Sequence, residues 1–273
     1  MSTTFYPGAN LHPSPPDVVF ISSDTVFFYV HSAVLLHESS NHFNSLVPTL
    51  EEAEGVQDKD SVGPVAAVPE ASPVLNLILH TVYGMSCQHY SPSNTTLVIT
   101  VNALAKYGVD LKKHLAPTTP LFQHILAKSP IAPVEFFATA GHYNLWDLAV
   151  AISPYMLSFH LASLEDEHVE RMGAFYLKRL FFLHLGRIDA LKRLLLPPPT
   201  GHPATLDCDF VEQKKLTRAW ALASAYLAWD ARAGTSAMPG ICALSLTCMG
   251  RSVDYGDGGR FAAARRPSVL PNL

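Results

Sequence analysis

The chain has 273 residues, 48% of them hydrophobic and 15% charged, enough apolar side chain for one large domain or two small ones. Its net charge of −4 arises within residues 51–60, EEAEGVQDKD, and the remainder balances to zero. No general basic field exists to hold a phosphate backbone, so direct nucleic-acid binding is not expected.

No segment is apolar enough to predict a membrane span: residues 174–196 come nearest but are interrupted by Lys178, Arg179, Arg187, Asp189, Lys192 and Arg193. The first 16 residues show no basic stretch leading into an apolar run, so no secretory signal is expected. Cys87, Cys208, Cys242 and Cys248 are scattered and too few for a disulfide framework. Reduced thiols in the cytosol or nucleus are the simpler reading.

Residues 1–15 carry no periodic pattern and are expected to lack order. Residues 17–47 are the most informative part of the chain. Val18–Ile21 form a near-continuous β-branched and aromatic run, as in a strand covered on both faces. Ser22, Ser23 and Asp24 are turn formers. Val26, Phe28 and Val30 then alternate with Phe27 and Tyr29, giving a second strand and a hairpin. At His31 the period changes: Val34, Leu35 and Leu36 put an apolar stripe on a short helix, with a further helical turn at Phe43 and Leu46.

An Asp-Val strand, a turn, a second strand and a His-x-x-x-Leu helix, followed by a Ser and a Phe, make an ordered set. Asp17-Val18, Ser23-Asp24, Phe28, His31, Leu35, Ser39 and Phe43 supply it here, and this block resembles the start of a BTB/POZ domain. The resemblance spans about residues 16–130, and the helical sequence from 131 to 232 resembles the extension of a group of fungal BTB proteins. It implies an α+β, predominantly helical fold: a short three-stranded sheet flanked by helices, followed by an all-α extension. It also implies that Asp17 belongs to a subunit-interface pocket, beside a basic residue following the helix-starting histidine. Here that position is Ser32, so the basic half of the pocket is missing. Leu50-Glu51-Glu52, in the acidic loop 48–64, loosely matches the hydrophobic-x-Glu element with which some BTB adaptors grip a cullin scaffold. The same stretch reads equally as a solvated loop.

Beyond the loop, GPVAAVP supplies a third short strand. Ser72-Pro73 reads as an N-cap and first-turn pair for a helix ending at Gly84. Leu97, Val101 and Leu104 lie on a helix that stops at Gly108, and Thr119-Pro120 starts another. After a linker with Pro130 and Pro133, Asn144 is expected to cap a helix that Pro154 bends or ends. Ser163 starts the next, a long amphipathic stretch closed by Pro197-Pro198-Pro199. A last helix carries Leu216, Ala219, Trp220, Ala223, Tyr226 and Leu227 on its apolar face. Residues 233–273, with six glycines and Arg-rich ends, break this pattern and read as a disordered tail. A changed reading frame or misassigned exon boundary would look the same.

Thirteen histidines include no His-Glu-x-x-His, and no Cys-x-x-Cys, phosphate-cradling glycine loop or nucleophile elbow occurs, so no metal or cofactor is expected. With no catalytic signature beside it, the resemblance of residues 17–47 to a BTB/POZ domain implies protein–protein interaction without catalysis: oligomerisation as a homodimer, or an adaptor role toward a protein partner such as a cullin scaffold. Asp17, His31, Ser32, Phe43, Leu50 and Glu52 are the candidate contact residues, His31 being also a helix-start or packing residue. The alternative is a helical enzyme of unrecognised type with a Ser/His/Asp site assembled in space. A transcriptional regulator would need a DNA-binding element that the sequence does not show.

Overall fold

The computed structural model describes residues 1–47, 64–198, 200–205 and 208–229. Three strands, β1 (Val18–Ile21), β2 (Phe27–Val30) and β3 (Val65–Ala67), form one mixed sheet in the order β2-β1-β3. β1 pairs antiparallel with β2, Val18 opposite Val30 and Phe20 opposite Phe28, and parallel with β3, Val19 opposite Val65. The central place of β1 accounts for its unbroken apolar run: Val18, Val19 and Phe20 are all buried. In β2 the alternation is real, with Phe28 and Val30 buried and Phe27 exposed.

Among the described residues the other regular elements are mainly helices, giving an α+β, helix-dominated architecture. They are α1 (Ser32–Glu38), α2 (Ser72–Val82), α3 (Asn94–Lys106), α4 (Leu111–His114), α5 (Pro120–Lys128), α6 (Pro133–His142), α7 (Trp146–Met156), α8 (Asp166–Leu195) and α9 (Phe210–Trp229). Between α1 and β3, His42–Ser45 form a single left-handed helical turn with φ of 53–59° at each residue. Left-handed backbone is costly for non-glycine residues. It is held here by the Asn41 side chain, which accepts the Asn44 N–H at 2.8 Å, and by Ser39 Oγ, which accepts the Phe43 N–H at 2.7 Å.

Several expectations need correction. Residues 1–15 are not without order: Phe5 is completely buried, the Ser2 N–H donates to the Phe27 carbonyl at 2.8 Å and the Tyr29 N–H to the Phe5 carbonyl at 3.0 Å. The N-terminal residues thus satisfy the outer edge of β2, where an unpaired edge is a liability. Ser72 is not the N-cap of α2 but lies inside it; the capping acid comes from the β1–β2 turn. Asp24 Oδ1 accepts the Ser72 N–H at 2.8 Å and Asp24 Oδ2 accepts the Ser72 hydroxyl at 2.6 Å. The hydrogen bond from the Ser22 hydroxyl, with these from Ser72, holds the Asp24 carboxyl at about 2. Asn144 does not cap α7; it sits at positive φ, and its side chain accepts the Tyr176 hydroxyl at 2.8 Å. Ser163 lies in a short 3-10 turn before Glu165, the residue that precedes α8.

The buried side chains form one cluster from Phe5 to Leu183, continuous across residue 130. α8 packs on α6 and breaks at Gly173, whose φ of 72° suits glycine. Gly141 on α6 makes the approach possible, since a Cβ there would lie 2.7 Å from the Met172 carbonyl oxygen. α9 lies against the C-terminal end of α8, where the Trp220 Nε1–H donates to the Leu195 carbonyl at 2.9 Å. Its expected apolar face is mostly uncovered: Leu216 is 61% exposed, Tyr226 68% and Leu227 44%.

Candidate protein-interaction surface

The structure brings Asp17 and Ser32 together. Asp17 Oδ1 accepts the Ser32 N–H at 2.7 Å, and its second oxygen accepts the Ser32 hydroxyl. Asp17 therefore caps the first turn of α1 from fifteen residues upstream, where no residue local to the helix does so. The Ser32 hydroxyl and N–H thus satisfy both oxygens of the acid within the same chain.

His31 sits at the start of α1 and is buried, but its ring caps no backbone group. It reaches Tyr83 at the end of α2 instead: the His31 N–H donates to the Tyr83 hydroxyl at 2.9 Å, and the ring Nδ1 lies 2.8 Å from the same oxygen. The other ring nitrogen, Nε2, is buried with no hydrogen-bond partner. Burial and the neighbouring His12, 5.1 Å away ring to ring, lower the His31 pKa. Burial also pushes Tyr83 up to about 12. This pair ties the hairpin end to α2. Neither Tyr83 nor the long-range cap Asp24 carries a local sequence signal, since each partner lies tens of residues away.

Phe43 does not join these residues on a surface. It is fully buried, stacked between Phe20 at 5.5 Å and Tyr107 at 4.4 Å. Tyr107 in turn donates its hydroxyl to Glu70, whose other oxygen accepts from Lys106 at 2.7 Å. Leu50 and Glu52 lie outside the described residues, as does the tail 233–273.

An open cleft of about 670 Å³ lies between the end of α1 and the start of α4, lined by His37, Glu38, Ser40, Asp110, Lys112 and Tyr143 among others. Glu38 dominates its chemistry. Burial raises its pKa, but hydrogen bonds from Lys113 at 2.6 Å, His114 at 2.9 Å and His37 outweigh this and hold it at about 2. The serine hydroxyls at the rim are committed to structure: Ser39 donates to the Tyr107 carbonyl and Ser40 to the Gly108 carbonyl. A nucleophilic serine would need a histidine to take its proton, and neither serine is paired with one.

Among the described residues no three His, Cys, Asp or Glu side chains cluster as metal ligands, and no helix is long and apolar enough to cross a membrane. The Cys87 thiol is buried and the Cys208 thiol half-buried; burial raises the Cys87 pKa. No protein family, no curated protein and no solved structure matches this chain.

Proposed function

We propose that this chain is a BTB-type protein-interaction module, acting by pairing with other proteins rather than by catalysis. The observation that carries the reading is the block 17–47. Its two strands zip antiparallel, a third strand joins in parallel, and α1 begins at a histidine anchored to Tyr83 at the end of α2. That order and topology support a BTB assignment, and the helical remainder fits an appended extension.

The Asp17–Ser32 pair refines the reading. An acid already satisfied within its own chain has little to gain from a partner's cation, so association through a charged pocket at this point is disfavoured. We therefore favour an adaptor or hetero-pairing role over a dimer built on that pocket, with Leu50 and Glu52 as the residues for a cullin-type scaffold. Native mass spectrometry of the chain alone, and of the chain mixed with the N-terminal domain of a cullin, tests this. A complex lost on Glu52→Lys supports the scaffold role; a strict monomer that captures nothing in pull-down removes the interaction reading.

A further inference from the structure

The charge balance outside residues 51–60 conceals a division along the chain. Residues 1–173 hold six Lys and Arg against sixteen Asp and Glu, a net −10, whereas residues 174–229 hold eight against four, a net +4. The basic part is the arm formed by the second portion of α8 and by α9. This arm is also where the large apolar side chains lie open. On α8, Tyr176, Leu180 and Leu183 face the core. On the opposite side, at helical spacing, Lys178, Phe182, Leu185, Asp189 and Lys192 form a second stripe, with Phe182 44% and Leu185 57% exposed. On α9, Leu216, Leu222, Tyr226 and Leu227 are exposed beside Lys214, Lys215 and Arg218.

Phe182, Leu185, Leu216, Leu222, Tyr226 and Leu227 are between 44% and 75% exposed, a concentration of large open apolar side chains of the kind that marks an interaction site. A helix apolar on two opposite sides is normally covered on both. Charge decides between the candidates. A second arm would bring like charge against like. An anionic membrane is less suited, because Lys178, Lys192 and the Asp189–Arg193 pair stand within the α8 stripe itself and leave no continuous apolar face to bury. A protein helix can alternate apolar knobs with carboxylates and meet both features.

We propose that the α8–α9 arm is a docking surface for an acidic amphipathic helix of a partner protein, with Phe182, Leu185, Leu216 and Tyr226 as apolar anchors and Lys178, Lys192, Lys214 and Arg218 as the complementary charge, joined by Lys215, whose exposed pair with Glu212 is weak enough to exchange. This surface lies on the helical extension and stands whether or not the hairpin end of the molecule binds anything.

The test uses the full chain and three probes: a fluorescent helical peptide of repeating Leu and Glu, the same peptide with Lys for each Glu, and vesicles of phosphatidylserine and phosphatidylcholine. The acidic peptide is expected to bind saturably, to weaken as salt is raised, and to lose about tenfold or more in affinity to the variant Lys214→Glu/Lys215→Glu/Arg218→Glu. Those side chains are exposed, so the variant should melt with the parent. The variant Leu216→Asp/Tyr226→Asp should lose binding as well. Equal binding of both peptides, failure of the acidic one, or preference for vesicles overturns the proposal. Sedimentation showing a homodimer that the Leu216→Asp/Tyr226→Asp change dissociates also overturns it, because the occupant is then a second copy.

Discussion

Replacing Phe43 by alanine separates a core residue from a contact residue. The ring is fully buried between Phe20 and Tyr107, with centroid separations of 5.5 and 4.4 Å and nearly parallel planes. Removing a buried Phe costs about 3–5 kcal/mol through lost transfer energy and the cavity left behind. Stacking on both faces adds about 0.5–1.5 kcal/mol per pair beyond burial, and the left-handed backbone gives the neighbours little freedom to close the hole. The expected loss is at least about 4 kcal/mol, which for a chain of this size lowers Tm by about 8 °C or more. Circular dichroism melts and urea titrations measure it, with the exposed Phe27→Ala on the same hairpin as a control expected within about 0.5 kcal/mol. A Phe43→Ala protein that melts within a degree or two of the parent, while losing a partner, would refute the core assignment and return Phe43 to the surface.

Other perturbations test other joints. Gly108→Ala places a Cβ 2.6 Å from the Asn41 side chain at a φ of +70°, so it should cost about 2 kcal/mol or more, read by the same melts. Ser45→Gly relieves left-handed backbone at an exposed position and should raise stability by about 0.5–1 kcal/mol, net of the entropy glycine adds to the unfolded chain. Ser32→Ala removes the hydroxyl from Asp17 and should cost about 1 kcal/mol, with a double-mutant cycle against Asp17→Ala showing coupling of the same order. Burial lowers the pKa of His31, His80, His124 and His184 below the ordinary 6.5. The unfolded chain then binds protons first, so stability should fall as pH drops below about 6.5. Glu38, held at about 2, keeps its pairs through that window; a Tm flat between pH 7 and about 5 would contradict the buried, neutral histidines.

Elements whose signal is local were legible in the sequence. The β1 run, the alternation in β2, the change of period at His31 and the Thr119-Pro120 start of α5 all reappear in place, because strand and helix periodicity are set by nearest neighbours. Long-range pairing was not legible. Asp17 and Asp24 each cap a helix far along the chain, and neither looks different from any turn acid. Ser72 and Asn144 stand near helix starts without being their N-caps for the same reason: residue type signals a helix start, but tertiary contacts choose which side chain serves it. Phe5 was overlooked because one aromatic pair in an irregular segment has no period, although its burial is what orders the N-terminus. On α9 the apolar residues Leu216, Tyr226 and Leu227 are exposed, because apolar residue type in a helix does not say whether the chain's own core covers it. Of the six candidate contact residues, Asp17, Ser32 and His31 converge at the head of α1, while Phe43 belongs to the core.

Quantitative affinity purification of the chain from its native cell, under gentle conditions and with cross-linking mass spectrometry, bears most directly on the claim that this protein works by association. The account predicts a protein partner enriched in stoichiometric amount, with cross-links running to the chain's own surface. Recovery of the chain alone as a monomer, with nothing enriched over a mock purification, would contradict it.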